Sequence, residues 1–172
     1  RQQGTNTLLV GIGTDGTIYF ESGDHPYDAK AGLLSTSFQA YTFFNDSLKL
    51  KDYFTPSNHE WLTQRDLDLN TTPVVFPYKG RDLLIGGGKE GRFYMLDSRS
   101  MGGANHETPL FRSELISNAN VNFQTEGTWG SLASWLGNDG TRWVLAPNGG
   151  PTTFKFPINY GDTPNGGILA FK

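Results

Sequence analysis

Short apolar runs alternate with turn residues along the whole chain. The runs are rich in β-branched and aromatic residues, and clusters of Gly, Asn, Asp and Pro separate them. No stretch of a dozen residues repeats apolar positions at i, i+3 and i+4, which is the spacing of an amphipathic helix. The sequence therefore predicts an all-β protein with roughly ten strands.

Two segments of similar sequence carry the clearest hairpin signals. The segments LLVGIGTDGTIYF (8–20) and LLIGGGKEGRFYM (83–95) align residue for residue at an offset of 75 positions. In each, a polar pair precedes a glycine, Gly16 or Gly91, which is the pattern of a tight turn with positive φ at the glycine. We expect an antiparallel strand pair in each segment and an internal repeat at this offset.

A third strand pair is predicted near the end of the sequence. The runs RWVLAPNGG (142–150) and GGILAFK (166–172) are apolar, and a segment rich in Pro and Asn connects them. Further short strands are predicted at 35–44, 48–54, 72–78, 108–116 and 128–137.

The number and spacing of these strands favour a β-propeller. All-β chains with repeats of about 40–50 residues usually form rings of four-stranded antiparallel blades, each covered by its neighbours. Roughly ten strands make about two and a half to three blades, fewer than the four or more of a ring. We predict that 1–172 is part of one propeller domain, with approximate blades at 1–56, 57–118 and 119–172. Further sequence or partner chains would close the ring, and a self-contained β-sandwich or barrel is the alternative.

Composition and charge narrow the class of protein and partner. The 172 residues include 22 glycines and 9 prolines, which argues against helical bundles and coiled coils. Aromatic residues make up 13% and charged residues 18%, so we expect a folded core built from large rings. Because the net charge is −3 and no basic run occurs, no nucleic-acid partner is predicted. No apolar stretch reaches the ~18 residues of a transmembrane helix.

Two further features bear on chemistry and processing. The sequence has no cysteine, which excludes disulfides, cysteine-ligated zinc and thiol chemistry. It begins at Arg1 rather than Met, from which we expect a processed product or a fragment.

From about residue 17 to 172 the chain resembles the PQQ-like β-propellers of the quinoprotein alcohol dehydrogenase-like superfamily. The stretches that carry the resemblance include IYFESGDHPYDAKAG, DYFTPSNHEWLTQRDLDL, EGTWGSLASW and GGILAFK. The most specific is the pattern G-K-x-G-x-x-Y-x-L-D at 88–97. The resemblance implies a ring of eight four-stranded blades and a periplasmic or secreted location.

The resemblance also assigns residues to a cofactor and a metal. Lys89 occupies the position of the lysine that contacts the quinone of PQQ, and Asp66 and Asp68 resemble the family's D-Y-D element. A T-G-N motif that ligates Ca²⁺ in active members reads S-G-D here, where Asp24 still offers oxygen. The family's catalytic base should fall near 32–34, where no Asp stands, and loss of a general base typically costs ~10²–10⁴-fold in rate. The family's pair of adjacent cysteines is also absent.

The same residues have structural alternatives. Asp24, with His25 and Asp28, can ligate Ca²⁺ or a softer divalent metal, but an ordinary turn is the favoured interpretation. Asp66 and Asp68 lie two apart, so in an extended chain they share one side as a ligand pair or a polar ladder.

Lysine and aromatic side chains near the predicted turns also have two interpretations. Lys89 follows three glycines and is either a ligand contact or a solvated turn lysine. Trp129 can stack on a quinone or a sugar, whereas packing between blades is the favoured role for it and for Trp135 and Trp143. Polar residues around Trp61 favour a loop anchored by a buried indole over a binding mouth.

Two sequons, at Asn45 and Asn70, fall at predicted turns and are candidate glycosylation sites in a secreted eukaryotic protein. No nucleophile elbow, P-loop or HExxH motif occurs.

The favoured function is a non-catalytic, extracytoplasmic binding or scaffold protein with a protein or glycan partner. One alternative is a PQQ- and Ca²⁺-dependent dehydrogenase that oxidises an alcohol or a sugar. A second is a structural subunit whose edge strands pair with neighbours in an assembly.

Overall fold

The computed structural model describes residues 10–23, 25–153, 155–158, 161 and 164–172. Within these residues the chain forms fourteen short strands, one α-helix and two 3₁₀ turns. The helix α1 is His59–Thr63, and the 3₁₀ turns are Ala29–Ala31 and Gly103–Asn105. The strands are Gly11–Ile12 (β1), Ile18–Ser22 (β2), Ser37–Phe44 (β3), Ser47–Phe54 (β4), Thr71–Thr72 (β5), Val74–Tyr78 (β6), Arg81–Gly87 (β7), Phe93–Asp97 (β8), Phe111–Arg112 (β9), Gly127–Thr128 (β10), Gly130–Ser131 (β11), Ala133–Leu136 (β12), Arg142–Gly149 (β13) and Gly166–Phe171 (β14).

The first two sheets are antiparallel meanders. Sheet I has the order β1-β2-β3-β4 and sheet II the order β6-β7-β8-β9. Tight turns join several of these strands because their residues accept positive φ: Asn45 and Asp46 between β3 and β4, and Lys79 and Gly80 between β6 and β7. Two consecutive residues of positive φ match the right-handed twist of paired strands. The all-β prediction is confirmed, with four-stranded antiparallel sheets.

Sheet III is built around β13. Strand β14 pairs with one edge of β13 along its length, from Val144 opposite Phe171 to Gly149 opposite Gly166. Strands β12 and β10 pair with the other edge, and β5 and β11 form a separate two-residue parallel ladder. The predicted pairing of the runs at 142–150 and 166–172 is therefore confirmed.

The predicted internal repeat does not correspond to a repeating unit of the fold. The segment 8–20 contains β1 and β2, the first and second strands of sheet I, whereas 83–95 contains strands of the second and third positions of sheet II. The two turns themselves form as expected, with φ of 80° at Gly16 and 78° at Gly91. Hairpin sequences look alike wherever they stand in a meander, so this similarity reports turn chemistry rather than position in a sheet.

The three sheets are stacked face to face, with sheet II in the middle. Side chains alternate along its strands, so Leu84 and Tyr94 face sheet I while Leu83 and Phe93 face sheet III. The core between sheets I and II contains Tyr19, Phe38, Ala40, Phe54, Leu69, Leu84, Tyr94, Leu96 and Met101. The core between sheets II and III contains Phe76, Leu83, Phe93, Ile116, Leu132, Val144, Ala146 and Leu169.

One edge strand of each sheet lies along one side of the stack. Strand β1 contacts β6, and β6 contacts β12. Strands β1 and β6 come close together at Gly11, where a Cβ would lie 2.6 Å from Cγ2 of Val75 and 2.7 Å from the carbonyl oxygen of Pro73. Only glycine fits there without a shift of the neighbouring strand.

Long connections meet at one end of the stack. Leu69 forms a bridge with Gly88, and a Cβ on Gly23 would lie 3.4 Å from the carboxylate of Asp68. Gly127 touches the backbone of Lys89 in the same region. Sheets I, II and III lie at 11–54, 74–112 and 127–171, inside the ranges predicted for three blades, and the division into blades stays a prediction. None of the helices in the described segments has the length and apolar character needed to cross a membrane.

Candidate functional site

Lys89 follows β7 at the end of the stack where the long connections meet, and its backbone is held from several sides. Its N–H donates to the carbonyl of Asp68 at 3.0 Å, and its own carbonyl accepts from the side-chain amide of Asn118. Gly127 has a φ of 96°, and a Cβ there would lie 2.4 Å from the Lys89 carbonyl oxygen. The direction of the lysine side chain is therefore fixed by its surroundings.

The ammonium of Lys89 lies between two carboxylates. Its Nζ donates to Oδ1 of Asp66 at 3.0 Å and to Oδ2 of Asp68 at 2.7 Å. The side chain of Lys89 is 10% exposed and that of Asp66 is 49% exposed, so the cluster opens to solvent through Asp66. One ammonium against two carboxylates leaves an excess of negative charge.

The ionisation of the cluster reflects both burial and pairing. Burial raises the pKa of Asp68 above its usual value and Asp66 adds to the rise, although the hydrogen bond and charge of Lys89 oppose it. Burial by itself would lower the pKa of Lys89, but the hydrogen bonds to the two carboxylates outweigh it and the pKa is raised. Lys89 therefore stays charged while Asp68 takes up a proton more readily than an ordinary aspartate.

Trp129 supplies an aromatic surface beside this cluster. The Nζ of Lys89 lies 5.5 Å from the centroid of the indole ring, within the range of a cation–π contact. The indole N–H donates to the carbonyl of Glu126 at 3.0 Å, which fixes the orientation of the ring. The ring is half-buried, so part of its surface is open to solvent.

Buried polar atoms around the cluster have no hydrogen-bond partner among the described residues. They include Oδ1 of Asp68, Oδ1 of Asn70 and Oγ1 of Thr128. Asn70 and Thr128 belong to this end of the stack because their N–H groups donate to Gly87 and Gly88. A buried polar group without a partner typically costs about 1–3 kcal/mol, so this region has hydrogen-bonding capacity left to satisfy.

The cluster combines a cationic donor, two anionic acceptors and a flat apolar surface. Binding sites for small ligands place a few polar groups around apolar or aromatic walls in this way. From the sequence we paired only Asp66 with Asp68, and the structure brings both of them together with Lys89 and Trp129. Asp66 and Asp68 do share one side, but through a turn with a φ of 55° at Asp66 rather than along an extended strand.

Of the predicted metal ligands, Asp24 lies outside the described residues. The side chain of Asp28 caps the 3₁₀ turn that follows it, because its Oδ1 accepts from the N–H groups of Lys30 at 3.0 Å and Ala31 at 3.2 Å. No group of three or more His, Asp or Glu side chains able to hold a metal occurs in the segments that the structure describes.

One expectation about a tryptophan is wrong, namely that the indole of Trp61 is buried. Trp61 is 37% exposed and lies under the guanidinium of Arg65, while Leu62 is the buried residue of α1, since a helix of five residues buries a narrow face. Trp135 is exposed and stacks on Trp143, with ring centroids 6.0 Å apart. This pair lies on the face of sheet III that points away from sheet II, so within the described chain it is not packed between sheets.

The two sequons differ in exposure. Asn45 is at the exposed turn between β3 and β4. Asn70 does not lie at a turn, because it directly precedes β5 and its N–H donates to the carbonyl of Gly87. It is half-buried. Modification of either residue stays a prediction.

Sequence reasoning missed several buried carboxylates, among them Glu90 and Glu21. Glu90 accepts from the hydroxyl of Tyr94 at 2.8 Å and from the side-chain amide of Asn58 at 3.0 Å, and it pairs with two arginines. Glu21 is buried between sheets I and II against Thr71. Strand alternation gave a signal for the second, because Glu21 is two residues from Tyr19 and so shares its inward face.

Comparisons of the chain with protein-family models, with curated proteins and with solved structures found no match.

Proposed function

We propose that this chain is part of a PQQ-like β-propeller that binds a ligand without transforming it, at the site formed by Lys89, Asp66, Asp68 and Trp129. The observation that carries the proposal is the convergence of these four side chains at one end of the stacked sheets. The extracytoplasmic location belongs to the same proposal and rests on the sequence resemblance.

The arrangement of the sheets supports the propeller part of this proposal. Three antiparallel sheets stack face to face, and their edge strands β1, β6 and β12 lie together along one side, as blades do around a central axis. The outer faces of sheets I and III are apolar and would be covered by neighbouring blades in a ring. Further sequence or partner chains would supply those blades.

The chemistry of the site favours a neutral ligand that carries hydroxyl groups, such as a glycan. Hydroxyls donate to carboxylates and accept from an ammonium, and the apolar face of a sugar ring packs on an indole. Asp66 is the exposed member of the cluster and would contact such a ligand first. A ligand with several negative charges would meet the excess of carboxylates and be disfavoured.

A PQQ- and Ca²⁺-dependent dehydrogenase is the second candidate, and the indole beside Lys89 is the observation that favours it, because a flat quinone can stack there. The described residues fit these groups only in part. PQQ is a polycarboxylate, and two carboxylates already bind the ammonium that would contact it. The same ammonium holds the position between Asp66 and Asp68 that Ca²⁺ would need. The base expected near 32–34 is also missing from the sequence.

Calorimetric titration separates the two candidates. Neutral oligosaccharides and PQQ with Ca²⁺ are titrated separately into the chain and into its Lys89→Ala, Trp129→Ala and Lys79→Ala variants. Lys79 is the matched control, since it lies in an exposed turn between β6 and β7. Saccharide binding that both site variants abolish and Lys79→Ala retains supports the proposal. Saturable PQQ binding lost in the same two variants supports the dehydrogenase, and binding unaffected by Lys89→Ala and Trp129→Ala contradicts the site.

A further inference from the structure

Asn118 is a buried polar residue behind the backbone of Lys89. It is 3% exposed, and its φ of 59° lies in the left-handed region, which asparagine adopts more readily than most residues other than glycine. Its Nδ2 donates to the carbonyls of Lys89 and Asn122, and its Oδ1 accepts from the N–H of Asn122 at 2.6 Å. Both hydrogens of Nδ2 are therefore used inside the fold, so Asn118 acts on the proposed site through the residues that it holds.

The hydrogen bonds of Asn118 continue toward the segment that carries Trp129. Oδ1 of Asn122 accepts from the N–H of Thr125 at 3.1 Å, and Nδ2 of Asn122 donates to the Thr125 hydroxyl at 3.0 Å. Thr125 directly precedes Glu126, whose carbonyl accepts from the indole N–H of Trp129 at 3.0 Å. One path of hydrogen bonds and a single peptide bond thus connects the residue that carries the ammonium with the carbonyl that orients the indole.

Backbone contacts hold the same two parts of the chain on either side of Lys89. The N–H of Thr128 donates to the carbonyl of Gly88 at 3.0 Å, and the N–H of Ile116 donates to the carbonyl of Gly91 at 2.8 Å. These contacts bring the segments together but end at the glycines that flank the turn. Asn118 adds a contact from a side chain to Lys89 itself, and its removal would leave a carbonyl in this region without that donor.

We infer that Asn118 is the positioning residue of the proposed site and sets the placement of the Lys89 ammonium relative to the Trp129 ring, 5.5 Å away. The inference rests on the proposed function, because it states how that site is held and adds no contact with the ligand. A site whose groups are placed before the ligand arrives binds more tightly, since ordering side chains and loops on binding costs affinity.

Two substitutions separate the hydrogen bonds of Asn118 from its backbone conformation. Asn118→Gly accepts the positive φ and removes all three hydrogen bonds, whereas Asn118→Asp keeps the shape and the acceptor for Asn122 but loses both donors. Asn122→Ala breaks the path beyond Asn118, because Asn118 binds only backbone atoms of Asn122. Asn45→Gly is the matched control, since Asn45 has a φ of 49° in the exposed turn between β3 and β4.

Two measurements without ligand report on the two ends of this path. The rate of reductive methylation of Lys89, relative to the exposed lysines, follows the protection of its ammonium. Proton exchange at the indole N–H of Trp129, identified with Trp129→Phe, follows the fixation of the ring. We expect both rates to rise by about twofold to tenfold in the Asn118 variants, as loss of a hydrogen bond implies. Only the indole rate should rise in Asn122→Ala, and neither in Asn45→Gly.

Calorimetric titration with a neutral oligosaccharide then relates position to affinity, and Kd should rise in both Asn118 variants by a similar factor. Unchanged methylation and indole exchange in these variants overturn the inference, even where Lys89→Ala abolishes binding and the proposed function holds. Equal rises in Asn45→Gly also overturn it. Faster methylation and exchange in a chain that binds no saccharide support the positioning role and contradict the proposed function. Thermal melting checks that each variant is folded, and the isosteric Asn118→Asp decides the test if Asn118→Gly does not fold.

Discussion

The carboxyl group of Glu21 joins sheet I to the segment that borders sheet II through Thr71. Oε2 of Glu21 accepts from the N–H of Thr71 at 2.9 Å and Oε1 accepts from its hydroxyl at 2.7 Å. The same hydroxyl accepts from the N–H of Gly87 at 2.9 Å, so the chain of hydrogen bonds reaches β7. Burial raises the pKa of Glu21 well above its usual value, and the hydrogen bonds from Thr71 and Gly87 offset this only in part.

This burial predicts a dependence of stability on pH. In the unfolded chain Glu21 has an ordinary pKa, whereas its pKa in the folded chain is raised. Its contribution to stability is therefore complete below the unfolded pKa and is lost as the pH rises through the folded pKa. We expect Glu21→Gln to remove this loss, because the glutamine oxygen can accept from the N–H of Thr71 while its amide donates to the hydroxyl. The variant should be more stable than the unaltered chain at neutral pH and no more stable at pH 4.

Urea unfolding measured between pH 4 and pH 8 checks this expectation. Glu107→Gln is the matched control, since it removes the same charge from an exposed position. A pH profile of Glu21→Gln that parallels those of the control and the unaltered chain would show that Glu21 does not titrate in this range.

A substitution at Gly86 tests the packing around the buried carboxyl group of Glu21. A Cβ at this position would lie 2.0 Å from Oε1 of Glu21 and 2.6 Å from Cε1 of Phe38, both of which are buried. Overpacking of this kind typically costs about 1–3 kcal/mol, so Gly86→Ala should lower the free energy of unfolding by at least that amount. Gly23→Ala is the control, because its Cβ would be 3.4 Å from Asp68, an ordinary contact. Equal midpoints for the two variants in urea would contradict the packing described for Gly86.

Sequence reasoning succeeded where the signal is local. The turns at Gly16 and Gly91 depend on a few adjacent residues, and both form as expected. The contact between Glu21 and Thr71 spans 50 positions and depends on how two sheets stack, which periodicity does not report. For the same reason the exposure of Trp61 and the convergence of Lys89 with Trp129 required the folded chain.

Because Lys89 pairs with both Asp66 and Asp68, we expect two substitutions in this cluster to lower the stability of the fold by different amounts. Lys89→Met removes the cation and leaves Asp68, whose side chain is largely buried, without its partner. Loss of a partner in such a pair typically costs about 1–3 kcal/mol. Asp66→Asn should cost less, since Asp66 is half-exposed and Lys89 keeps Asp68. Thermal melting of both variants at neutral pH checks the order, and a larger loss for Asp66→Asn would contradict it.

Adjacent residues of β7 point to opposite faces of sheet II, so we expect the stability of each of the two cores to depend on a different one of them. Leu84 is fully buried against sheet I, and Leu83 is buried against sheet III. Truncation of a buried leucine typically costs about 2–5 kcal/mol, so Leu84→Ala and Leu83→Ala should both destabilise the chain by amounts in that range. Hydrogen exchange separates their effects, because Leu84→Ala should raise exchange first at the amides of β2 and β3, and Leu83→Ala at those of β13 and β14. The same pattern of exchange in both variants would show that the three sheets unfold as one unit.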